Sequence, residues 1–428
     1  MDQQTLKRIS INAHMSAKGK IETIGKVAIR NARSLSIYYT PGVAYACLAI
    51  KKNPLLSYEY TSRNNTVAIL TNGSRILGLG DIGPEAGMPV MEGKAVLLKK
   101  FGGVDAIPLA IHADRKHEII RFAHMLAPSV GAINLEDIRS PDCVDILKSL
   151  ERSLEIPVFH DDNQGTGIVA YAALLNALKL VGKRLDEVKI AINGAGAAGY
   201  GIAMILAAAG ARDITVCDTH GIVRAGRSAN MNSMKRELAR FTNRHDIEGT
   251  LHDAVRTADV LIGASTAGAF NKGMIGAMAD DPIVFALANP YPEIDYHDAL
   301  GAGAAIAATG RSDRPNQVNN LLIFPGMLRG ILDVGARRVN MEMMLAAGRA
   351  IAGSVSADSL SKGHVVPAFA ETGVAKRVLV STACAVASAA MRSGAARRRV
   401  SAGTIARKCA RLLERYERIE RSVIGKRA

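Results

Sequence analysis

A glycine triplet set between two apolar runs constrains the fold of this chain more than any other feature. Val188–Asn193 is typical of a buried strand and leads directly into Gly194-Ala-Gly-Ala-Ala-Gly199. A helical pattern follows over Tyr200–Ala209, and the next apolar run ends at Asp218. In this order the glycines suit a tight turn, a close approach of phosphate groups to the backbone, and close packing of helix on strand. The pattern predicts a dinucleotide-binding βαβ unit in which the helix N-terminus faces the phosphates.

The candidate coenzyme contacts are the residues of this turn and the acid after the second strand. Asp218 is placed to accept hydrogen bonds from ribose hydroxyls, which favours NAD because a 2′-phosphate would be repelled. Arg224 and Arg227 lie just downstream and suit NADP, so both coenzymes stay open. An ordinary βαβ turn without a ligand is the alternative. The coenzyme-binding candidates are Gly194, Gly196, Ala197, Ala198, Gly199 and Asp218.

Two acidic pairs follow two further apolar runs. They are Asp161-Asp162, after the run Ile156–Phe159, and Glu136-Asp137, after the run Val130–Leu135. Open α/β sheets build their sites at the carboxyl ends of strands, and Mg²⁺ and Mn²⁺ prefer oxygen ligands. The four carboxylates therefore suggest a divalent-cation site, with solvated loop acids as the alternative. Gly165 and Gly167 predict a flexible turn before a helix that starts at Ile168.

The length and the order of segments predict an α/β protein of two domains. A chain of 428 residues is too long for one ordinary core. Downstream of the glycine triplet, apolar runs alternate with helical segments, which predicts a parallel, doubly wound sheet of the Rossmann type. Upstream, Asn72-Gly73 lies between two apolar runs and predicts a β-hairpin, and the glycine-rich stretch from Ile76 to Lys94 predicts a loop. Met341–Met391 is Ala-rich and predicts helices.

Composition bears on the compartment and the partners. The five cysteines are scattered and form no Cys-x-x-Cys pair, which favours a reduced, cytoplasmic compartment. The N-terminus has no apolar signal core. Ile190–Ala211 is uncharged over 22 residues but breaks into strand, turn and helix, so we expect no membrane span.

The net charge of +15 is mostly a property of the C-terminal tail. Arg397–Ala428 holds eleven Lys/Arg and three Glu, which is +8 of the total. The body of the chain therefore need not bind nucleic acid. The helical spacing of Ile405, Leu412, Tyr416 and Ile419 predicts a surface helix packed on the body, with a contact to nucleic acid or an acidic partner as the alternative.

Seven segments spread along the chain carry a resemblance to a known family. They are Tyr39–Val43, Gly78–Lys94, Asn134–Ile138, Phe159–Asp162, Ala286–Pro290, Ala308–Asp313 and Pro315–Asn320. With these motifs the chain resembles the malic enzymes, in the short form that lacks an appended acyltransferase-like domain. The resemblance runs from about Ser36 to about Ala396.

The resemblance implies oxidative decarboxylation of L-malate to pyruvate and CO₂, with NAD or NADP and with Mg²⁺ or Mn²⁺. It also implies a homodimer or a higher homo-oligomer. The roles implied by matching positions are Glu136, Asp137 and Asp162 as metal ligands, Asp161 as a carboxylate near the lysine, Lys94 as general base, Tyr39 as general acid, and Arg75, Asn289 and Asn320 as substrate contacts, with Asn289 also beside the coenzyme. A lysine acts as a base only when neutral. Burial beside a metal would lower its pKa, whereas Asp161 would oppose that shift.

Two alternatives remain beside this interpretation. One is a metal-dependent enzyme for another 2-hydroxy or 2-oxo acid, such as oxaloacetate or tartrate. The other is a basic-tail binding protein that retains an enzyme fold, against which the presence of Tyr39, Lys94 and the candidate metal ligands argues.

The resemblance also suggests a domain plan. The substrate- and metal-binding domain is residues 1–161, the NAD(P)-binding domain 162–320, the helices that return to the substrate domain 321–396, and the basic helical tail 397–428. Closure of the cleft about a hinge at Asp162 would exclude water from the reaction. Two departures from the short-form pattern predict small effects on hinge flexibility: Asn163-Gln164 replaces Gln-His, and Gly167 stands where Ala is usual.

Overall fold

Two β-sheets organise the computed structural model, which describes residues 3–369 and 373–424. The first sheet has the strand order β2-β1-β3-β4, and all of its strands are parallel. Its strands are β1 (Thr66–Thr71), β2 (Asp105–Ala110), β3 (Ala132–Leu135) and β4 (Val158–His160). The second sheet has the order β10-β9-β8-β5-β6-β7, with β7 antiparallel to β6 and the other strands parallel. Its strands are β5 (Lys189–Asn193), β6 (Asp213–Asp218), β7 (Gly221–Ile222), β8 (Val260–Gly263), β9 (Ile283–Ala286) and β10 (Ile306–Thr309).

The second sheet is doubly wound, as the sequence predicted. The chain adds β6 and β7 on one side of β5 and β8, β9 and β10 on the other. The order of strands therefore reverses beside β5, and the glycine turn leaves the carboxyl end of β5 at this switch point. This arrangement confirms the α/β class with a Rossmann-type sheet.

Helices cover the sheets and form both ends of the described part of the chain. Before the second sheet they are α1 (Gln3–Ala17), α2 (Ala32–Tyr38), α3 (Val43–Lys52), α4 (Ser57–Tyr60), α5 (Pro84–Gly102), α6 (Lys116–Leu126), α7 (Asp142–Ser153) and α8 (Thr166–Val181). After β5 they are α9 (Ala197–Ala208), α10 (Ser233–Leu238), α11 (Leu251–Val255), α12 (Lys272–Gly276), α13 (Tyr296–Gly301), α14 (Phe324–Asp333), α15 (Met341–Ala352), α16 (Ala357–Ser361), α17 (Val374–Arg392) and α18 (Ala402–Ile419).

The larger of two hydrophobic clusters in the described residues runs through both sheets, and the smaller one lies against the second sheet. Helix α8 packs against α9 and α15, while α14 packs against α17 and contacts α5 of the first half. The C-terminal helices therefore return to the first half of the chain. Because the core is continuous, the predicted domain boundaries at 161/162 and 320/321 stay predictions. Residues 370–372 and 425–428 of the predicted C-terminal segments lie outside the described residues.

The predicted β-hairpin at Asn72-Gly73 is wrong. β1 is flanked on both sides by parallel neighbours, β2 and β3, so no edge is left for an antiparallel partner. Gly73 takes a left-handed φ of 71° and sends the chain into the loop that precedes α5. Because β1 lies inside the sheet, the Asn72-Gly73 turn ends a buried strand and does not join two antiparallel strands.

Two glycine-rich stretches are helical where loops were expected. The stretch before Lys94 is a loop only as far as Gly83, because α5 begins at Pro84 and carries Lys94 within it. Proline suits the first turn of a helix, where its missing N–H needs no partner. Gly165 and Gly167 continue from a π-turn over Asp161–Gly165 into α8, and a Cβ on Gly167 would lie 2.5 Å from the carbonyl oxygen of Gly201 in α9. The Gly167 position thus permits close packing of two helices, which corrects the expected flexible turn, whereas the expected effect on hinge flexibility stays a prediction.

The tail forms the predicted surface helix, α18, packed on α17 and α5. Ile405 and Cys409 are its buried residues, and Lys408 forms an ion pair of 2.6 Å with the buried Asp333 of α14. The basic helix is therefore attached to the body by both apolar and charged contacts.

Among residues 3–369 and 373–424, two helices are long and apolar enough to cross a membrane by length and composition. They are Asp161–Val181, with 72% of its apolar window buried in the protein, and Val374–Arg392, with 50%. The first lies between α9 and α15 as a core helix. Ile190–Ala211 divides into β5, the glycine turn and α9, as expected.

Candidate active site

The two acidic pairs predicted from the sequence lie side by side. β3 and β4 are parallel neighbours with Leu135 in register with His160, so both strands deliver their acids to the same edge of the first sheet. Lys94 reaches this edge from α5, and its ammonium group donates hydrogen bonds to the carboxylates of Glu136 and Asp161. Nearly all of the surface of these three side chains is buried. The fold thus assembles a buried lysine–carboxylate cluster.

The backbone of Asp137 ties the cluster to the loop after β1. Asp137 has a left-handed φ of 52°, a conformation that Asp tolerates better than most residues. Its N–H donates to Asp162 Oδ2 at 2.8 Å, and its carbonyl oxygen accepts from the N–H of Arg75 at 3.1 Å. Its Oδ1 accepts from the N–H of Leu77 at 3.3 Å, whereas its Oδ2 is buried and has no hydrogen-bond partner among the described residues. A buried carboxylate oxygen without a partner needs an explanation, and a bound cation supplies one.

The electrostatics of the cluster suit a divalent cation. Burial raises the pKa of Glu136 well above its ordinary value, although Lys94 acts against this shift. Burial and the charge of Asp162 raise the pKa of Asp137 to about 7. Crowded carboxylates resist ionisation, and a dication among them would relieve that repulsion. Together with the unpartnered oxygen of Asp137, these donors fit Mg²⁺ or Mn²⁺, which Glu136, Asp137 and Asp162 would hold.

In the present conformation, hydrogen-bond donors of the protein occupy carboxylate oxygens that a metal ion would need. Within residues 3–369 and 373–424, no three His, Cys, Asp or Glu side chains are arranged as a ready metal site. The ammonium of Lys94 donates a hydrogen bond to an oxygen of Glu136, and the N–H of Asp137 donates one to an oxygen of Asp162. The metal-ligand assignment therefore stays a prediction, and it requires these carboxylates to turn toward a common point.

Lys94 is held as an ammonium ion. Burial by itself lowers the pKa of Lys94, but the carboxylates of Asp161 and Glu136 outweigh burial and raise it above its ordinary value. The ring of Phe324 adds a cation–π contact, with its centre 4.8 Å from Lys94 Nζ. Proton loss from Lys94 is therefore opposed by Asp161, as the sequence argument expected. A base role for Lys94 requires a positive charge among the carboxylates.

The three predicted substrate contacts differ in their relation to the cluster. Asn320 touches it directly, because its side-chain amide donates to the backbone and side-chain oxygens of Asp161 at 3.1 and 3.2 Å. Arg75 follows β1, and its side chain is exposed. Asn289 follows β9 of the second sheet and is also exposed. A Cβ on Gly78 would lie 2.9 Å from the Asn289 carbonyl oxygen, so the loop of the first half passes closely over this residue.

Tyr39, the predicted general acid, is not buried with the cluster. It directly follows α2, and its side chain is 65% exposed. In the described part of the chain, no hydrogen bond joins its hydroxyl group to Lys94 or to the four carboxylates. The proximity of Tyr39 to Lys94 within one chain is therefore not observed.

The glycine turn forms a cradle with an open centre. Gly194 has a φ of 117°, and a Cβ there would lie 2.3 Å from the carbonyl oxygen of Ala264. A Cβ on Gly199 would lie 1.7 Å from the carbonyl oxygen of Gly194, whereas a Cβ on Gly196 would meet nothing within 4 Å. Because α9 begins at Ala197, its first free N–H groups lie beside this open space. The turn thus has room and donors for a phosphate group.

The cluster and the coenzyme cradle are adjacent. Asn163, in the π-turn that carries Asp161 and Asp162, donates to the carbonyl oxygen of Ala197 at 2.9 Å. A Cβ on Gly201 would lie 2.0 Å from the carbonyl oxygen of Asn163, so the π-turn packs tightly on α9. A coenzyme in the cradle would therefore lie next to the carboxylate edge.

Asp218 is not the free acceptor that the preference for NAD assumed. Its carboxylate receives bonds from Arg227 at 2.6 and 2.8 Å and an ion pair from Lys235 at 2.7 Å. Burial alone would raise the pKa of Asp218, but the hydrogen bonds from Arg227 and Lys235 lower it to about 2. Two cations against one anion give this corner of the coenzyme site a net positive charge. The preference for NAD expected from the sequence is untested, and its premise of an unpaired acid is wrong, so the charges here no longer argue against NADP.

Sequence reasoning missed two residues that border the cluster. The imidazole of His160 is fully buried, and its Nδ1 lies 3.9 Å from Asp162 Oδ2. Neither ring nitrogen of His160 has a hydrogen-bond partner within the described ranges. Phe324 reaches Lys94 from the start of α14, far along the sequence. The position of His160 beside the acidic pair could have marked it as a site residue. A lone aromatic residue such as Phe324 has no such mark in the sequence.

A doubly wound sheet with a phosphate cradle beside a buried lysine–carboxylate cluster defines a dinucleotide-dependent dehydrogenase of a small polar substrate. Two family models match the chain: "Malic enzyme, N-terminal domain" over residues 18–117 and "Malic enzyme, NAD binding domain" over residues 163–391. The matches cover most of the sequence, and the chain belongs to the malic enzyme family. The family resemblance expected from the motifs is thereby confirmed, and the coenzyme is NAD or NADP.

Curated relatives agree with this assignment. The chain is 49% identical to a bifunctional malic/malolactic enzyme of Bacillus subtilis, over 95% of this chain and 98% of that protein. It is 47% identical to an NAD-dependent malic enzyme of Geobacillus stearothermophilus, over 90% of this chain and 79% of that protein. It is 42% identical to an NADP-dependent malic enzyme of Escherichia coli, over 94% of this chain but only 54% of that longer protein.

Solved structures agree as well. The fold matches a malic enzyme from Pyrococcus horikoshii with a TM-score of 0.94 and 44% identity, over 99% of both chains. It matches the Entamoeba histolytica malic enzyme with a TM-score of 0.92 and 36% identity, over 98% of this chain and 89% of that one.

Proposed function

We propose that the chain oxidatively decarboxylates L-malate to pyruvate and CO₂, with NAD or NADP as the hydride acceptor. The observation that supports this most is the contact of the buried Lys94 ammonium with Glu136 and Asp161, beside the turn that packs on α9. Lys94, as the proton-transfer group, thus lies next to carboxylates that suit a cation. The coenzyme cradle adjoins both. The names of the relatives point to the same reaction.

The chemistry assigns each step to residues of this chain. Lys94, once neutral, takes the proton of the malate C2 hydroxyl while the C2 hydride passes to the nicotinamide ring. The resulting 2-keto acid loses its C4 carboxylate as CO₂, which leaves the bonding electron pair on C3 as an enolate. Tyr39 then donates a proton to C3, and pyruvate forms. Glu136, Asp137 and Asp162 would hold a divalent cation, which would supply a Lewis acid for the charge on the substrate oxygen and would offset the carboxylates that keep Lys94 protonated.

The substrate carboxylates bind to Arg75, Asn289 and Asn320. The exposed side chain of Arg75 and the amides of the two asparagines suit anionic oxygens. Asn320 also holds Asp161, so it links substrate binding to the lysine. We further propose a cytoplasmic location, in keeping with the scattered cysteines, and a homo-oligomer.

The test is the appearance of reduced nicotinamide absorbance with malate and Mn²⁺, with each coenzyme in turn. We expect turnover with malate and pyruvate as the product. Tartrate is compared in the same assay, whereas oxaloacetate, which has no hydride to transfer, is followed by the pyruvate that it forms. Lactate is assayed as a product because one relative is named a malic/malolactic enzyme. If kcat/KM were higher with tartrate or oxaloacetate than with malate, that compound would be the preferred substrate and the proposal for malate would be wrong.

A further inference from the structure

A fully buried glutamate joins two loops at the carboxyl edge of the second sheet. Glu293 has no exposed surface and lies in the segment after β9. Its Oε1 accepts from the N–H and the hydroxyl group of Ser265 at 2.8 and 3.1 Å, and its Oε2 accepts from the N–H of Ala288 at 3.0 Å. Ser265 follows β8, and Ala288 follows its parallel neighbour β9. One carboxylate thus connects the loops that leave two adjacent strands.

These contacts extend to the coenzyme cradle. The hydroxyl oxygen of Ser265 accepts a hydrogen bond of 2.8 Å from the side-chain amide of Asn193, the last residue of β5 before the glycine turn. The N–H of Ala264 donates to the carbonyl oxygen of Asn193, also at 2.8 Å. A Cβ on Gly263 would lie 2.4 Å from Glu293 Cδ, so the end of β8 lies directly against the carboxylate. Glu293 is therefore linked through Ser265 to the start of the glycine turn.

The other loop carries Asn289, a predicted contact of the substrate and the coenzyme. Asn289 directly follows Ala288, whose N–H donates to Glu293. On its other side, the guanidinium group of Arg311 donates to the carbonyl oxygen of Pro290 at 3.2 Å. The backbone is therefore held both before and after Asn289. The carboxylate of Glu293 supplies the contact that holds it before Asn289.

The hydrogen bonds compensate for the burial of a charged group. Among residues 3–369 and 373–424, the carboxylate of Glu293 forms no ion pair, and its hydrogen-bond donors belong to Ser265 and Ala288. Burial raises the pKa of Glu293, and the N–H groups of Ala288 and Ser265 oppose this shift. Hydrogen bonds to a carboxylate are about twice as strong as those between neutral groups. The carboxylate thus holds the two loops more firmly than a neutral side chain of the same shape would.

We propose that Glu293 is a positioning residue of the active site, which fixes Asn289 for contact with malate by tying its loop to the loop of Ser265. The proposal rests on the proposed function, which makes Asn289 a substrate contact. Because Glu293 is fully buried, its own side chain does not contact the substrate. The effect of Glu293 on turnover therefore passes through Asn289.

Glu293→Gln is the discriminating variant. Because the amide oxygen of this variant can accept from both donors of Ser265, its NH₂ group then faces the N–H of Ala288. Two donors repel each other, so the backbone before Asn289 should shift. At saturating coenzyme, kcat/KM with malate should fall by about 100-fold, since a misplacement of about 1 Å costs on this order. Full turnover of a folded Glu293→Gln variant overturns the proposal.

A double-mutant cycle separates positioning from a general structural role. Asn289→Ala lowers kcat/KM with malate by itself. In the Asn289→Ala background, Glu293→Gln should lower kcat/KM by less than about twofold, because the group that Glu293 positions is absent. An equal loss with and without Asn289 would mean that the effect does not pass through Asn289, and the proposal would be wrong.

Asp259→Asn is the matched control. The carboxylate of Asp259 also connects two segments of the second sheet, since it accepts from the N–H of Lys189 and from the ammonium of Lys183, both at 2.8 Å. It does so at the amino edge, opposite the active site, so we expect a lower melting temperature and nearly unchanged kcat/KM with malate. A wild-type chain that does not oxidise malate refutes the proposed function instead.

A second variant covers the case in which Glu293→Gln does not fold, as measured by circular dichroism. Gly263→Ala keeps the carboxylate but displaces it, because the new methyl group would meet Glu293 Cδ at 2.4 Å. In the same cycle, Gly263→Ala should lower kcat/KM with malate only when Asn289 is present. A loss that is equal in both backgrounds overturns the proposal here as well.

Discussion

At the scale of single residues, the active site depends on a few side chains whose charges are balanced by neighbours. Lys94 stays protonated between Glu136 and Asp161, and Asp218 is neutralised between Arg227 and Lys235. In both places the partner of a charged group decides its chemistry. Sequence motifs name such groups, but they do not show which charges pair.

The division of labour between Lys94 and Tyr39 has a direct test. Tyr39→Phe keeps the ring and loses the hydroxyl, so coenzyme and malate should still bind. Exchange of the pyruvate methyl protons with deuterated water follows only the last proton transfer, and it should slow by about 10²–10⁴-fold in this variant. Lys94→Ala should suppress malate oxidation while exchange continues. Exchange that survives in Tyr39→Phe and vanishes in Lys94→Ala would reverse the two roles.

The charge balance around Asp218 predicts that NADP is accepted. Because Arg227 and Lys235 outnumber the single acid, we expect kcat/KM with NADP at least as high as with NAD. Lys235→Gln should lower kcat/KM with NADP by about tenfold and leave NAD use nearly unchanged, since a tenfold loss corresponds to an ammonium–phosphate contact worth about 1.4 kcal/mol. Lys272→Gln, on the surface of α12, is the control. Equal losses with both coenzymes would show that Lys235 supports the fold of the site rather than a 2′-phosphate.

At the scale of elements, close contacts between backbones place the two halves of the active site. The π-turn and the start of α8 press against α9, with glycines at the points of nearest approach. This packing sets Asp161 and Asp162 beside the coenzyme cradle. The glycines here therefore fix a distance between elements.

Replacement of Gly167 tests this packing. The new methyl group in Gly167→Ala would meet the backbone of Gly201 at 2.5 Å, so α8 or α9 must shift. Overpacking of this kind costs about 1–3 kcal/mol, and thermal unfolding should show a lower melting temperature. Gly301→Ala is the matched control, because its methyl group would meet nothing within 4 Å at the end of α13. An unchanged melting temperature for Gly167→Ala would show that the two helices separate at little cost.

At the scale of the whole molecule, residues from distant parts of the chain meet at the cluster. The first half supplies Lys94, Glu136 and Asp137, the π-turn supplies Asp161 and Asp162, and the segment after the second sheet supplies Asn320 and Phe324. A ligand bound here contacts several elements at once. Its binding should therefore stabilise the molecule as a whole.

Addition of Mn²⁺ and its removal test this expectation. Mn²⁺ should raise the melting temperature, because a ligand present at 100 times its Kd adds about 2.7 kcal/mol to the free energy of unfolding. Excess chelator should reverse this rise and abolish turnover. Asp162→Asn should lose the Mn²⁺ response and at least about 100-fold in activity, while coenzyme binding persists. Asp142→Asn on α7 is the control, and full activity in excess chelator would refute the metal assignment.

The sequence by itself determined the features that depend on local pattern. The strand–glycine–helix order of β5 and α9, the acids at the ends of β3 and β4, and the family motifs all follow from residues that are close in the chain. The same local reasoning failed at Asn72-Gly73, because neighbours from distant segments occupy both sides of β1. It also failed at Gly167, where a backbone 34 residues away decides the role of the glycine.

Only the tertiary structure decided which groups touch. The pairing of Lys94 with Glu136 and Asp161, the neutralisation of Asp218 and the exposure of Tyr39 depend on distances between remote segments. Spacing along a chain carries no information about such distances unless an element joins the residues. The electrostatics of a buried charge depend on those distances, and for this reason the protonation of Lys94 is a property of the folded molecule.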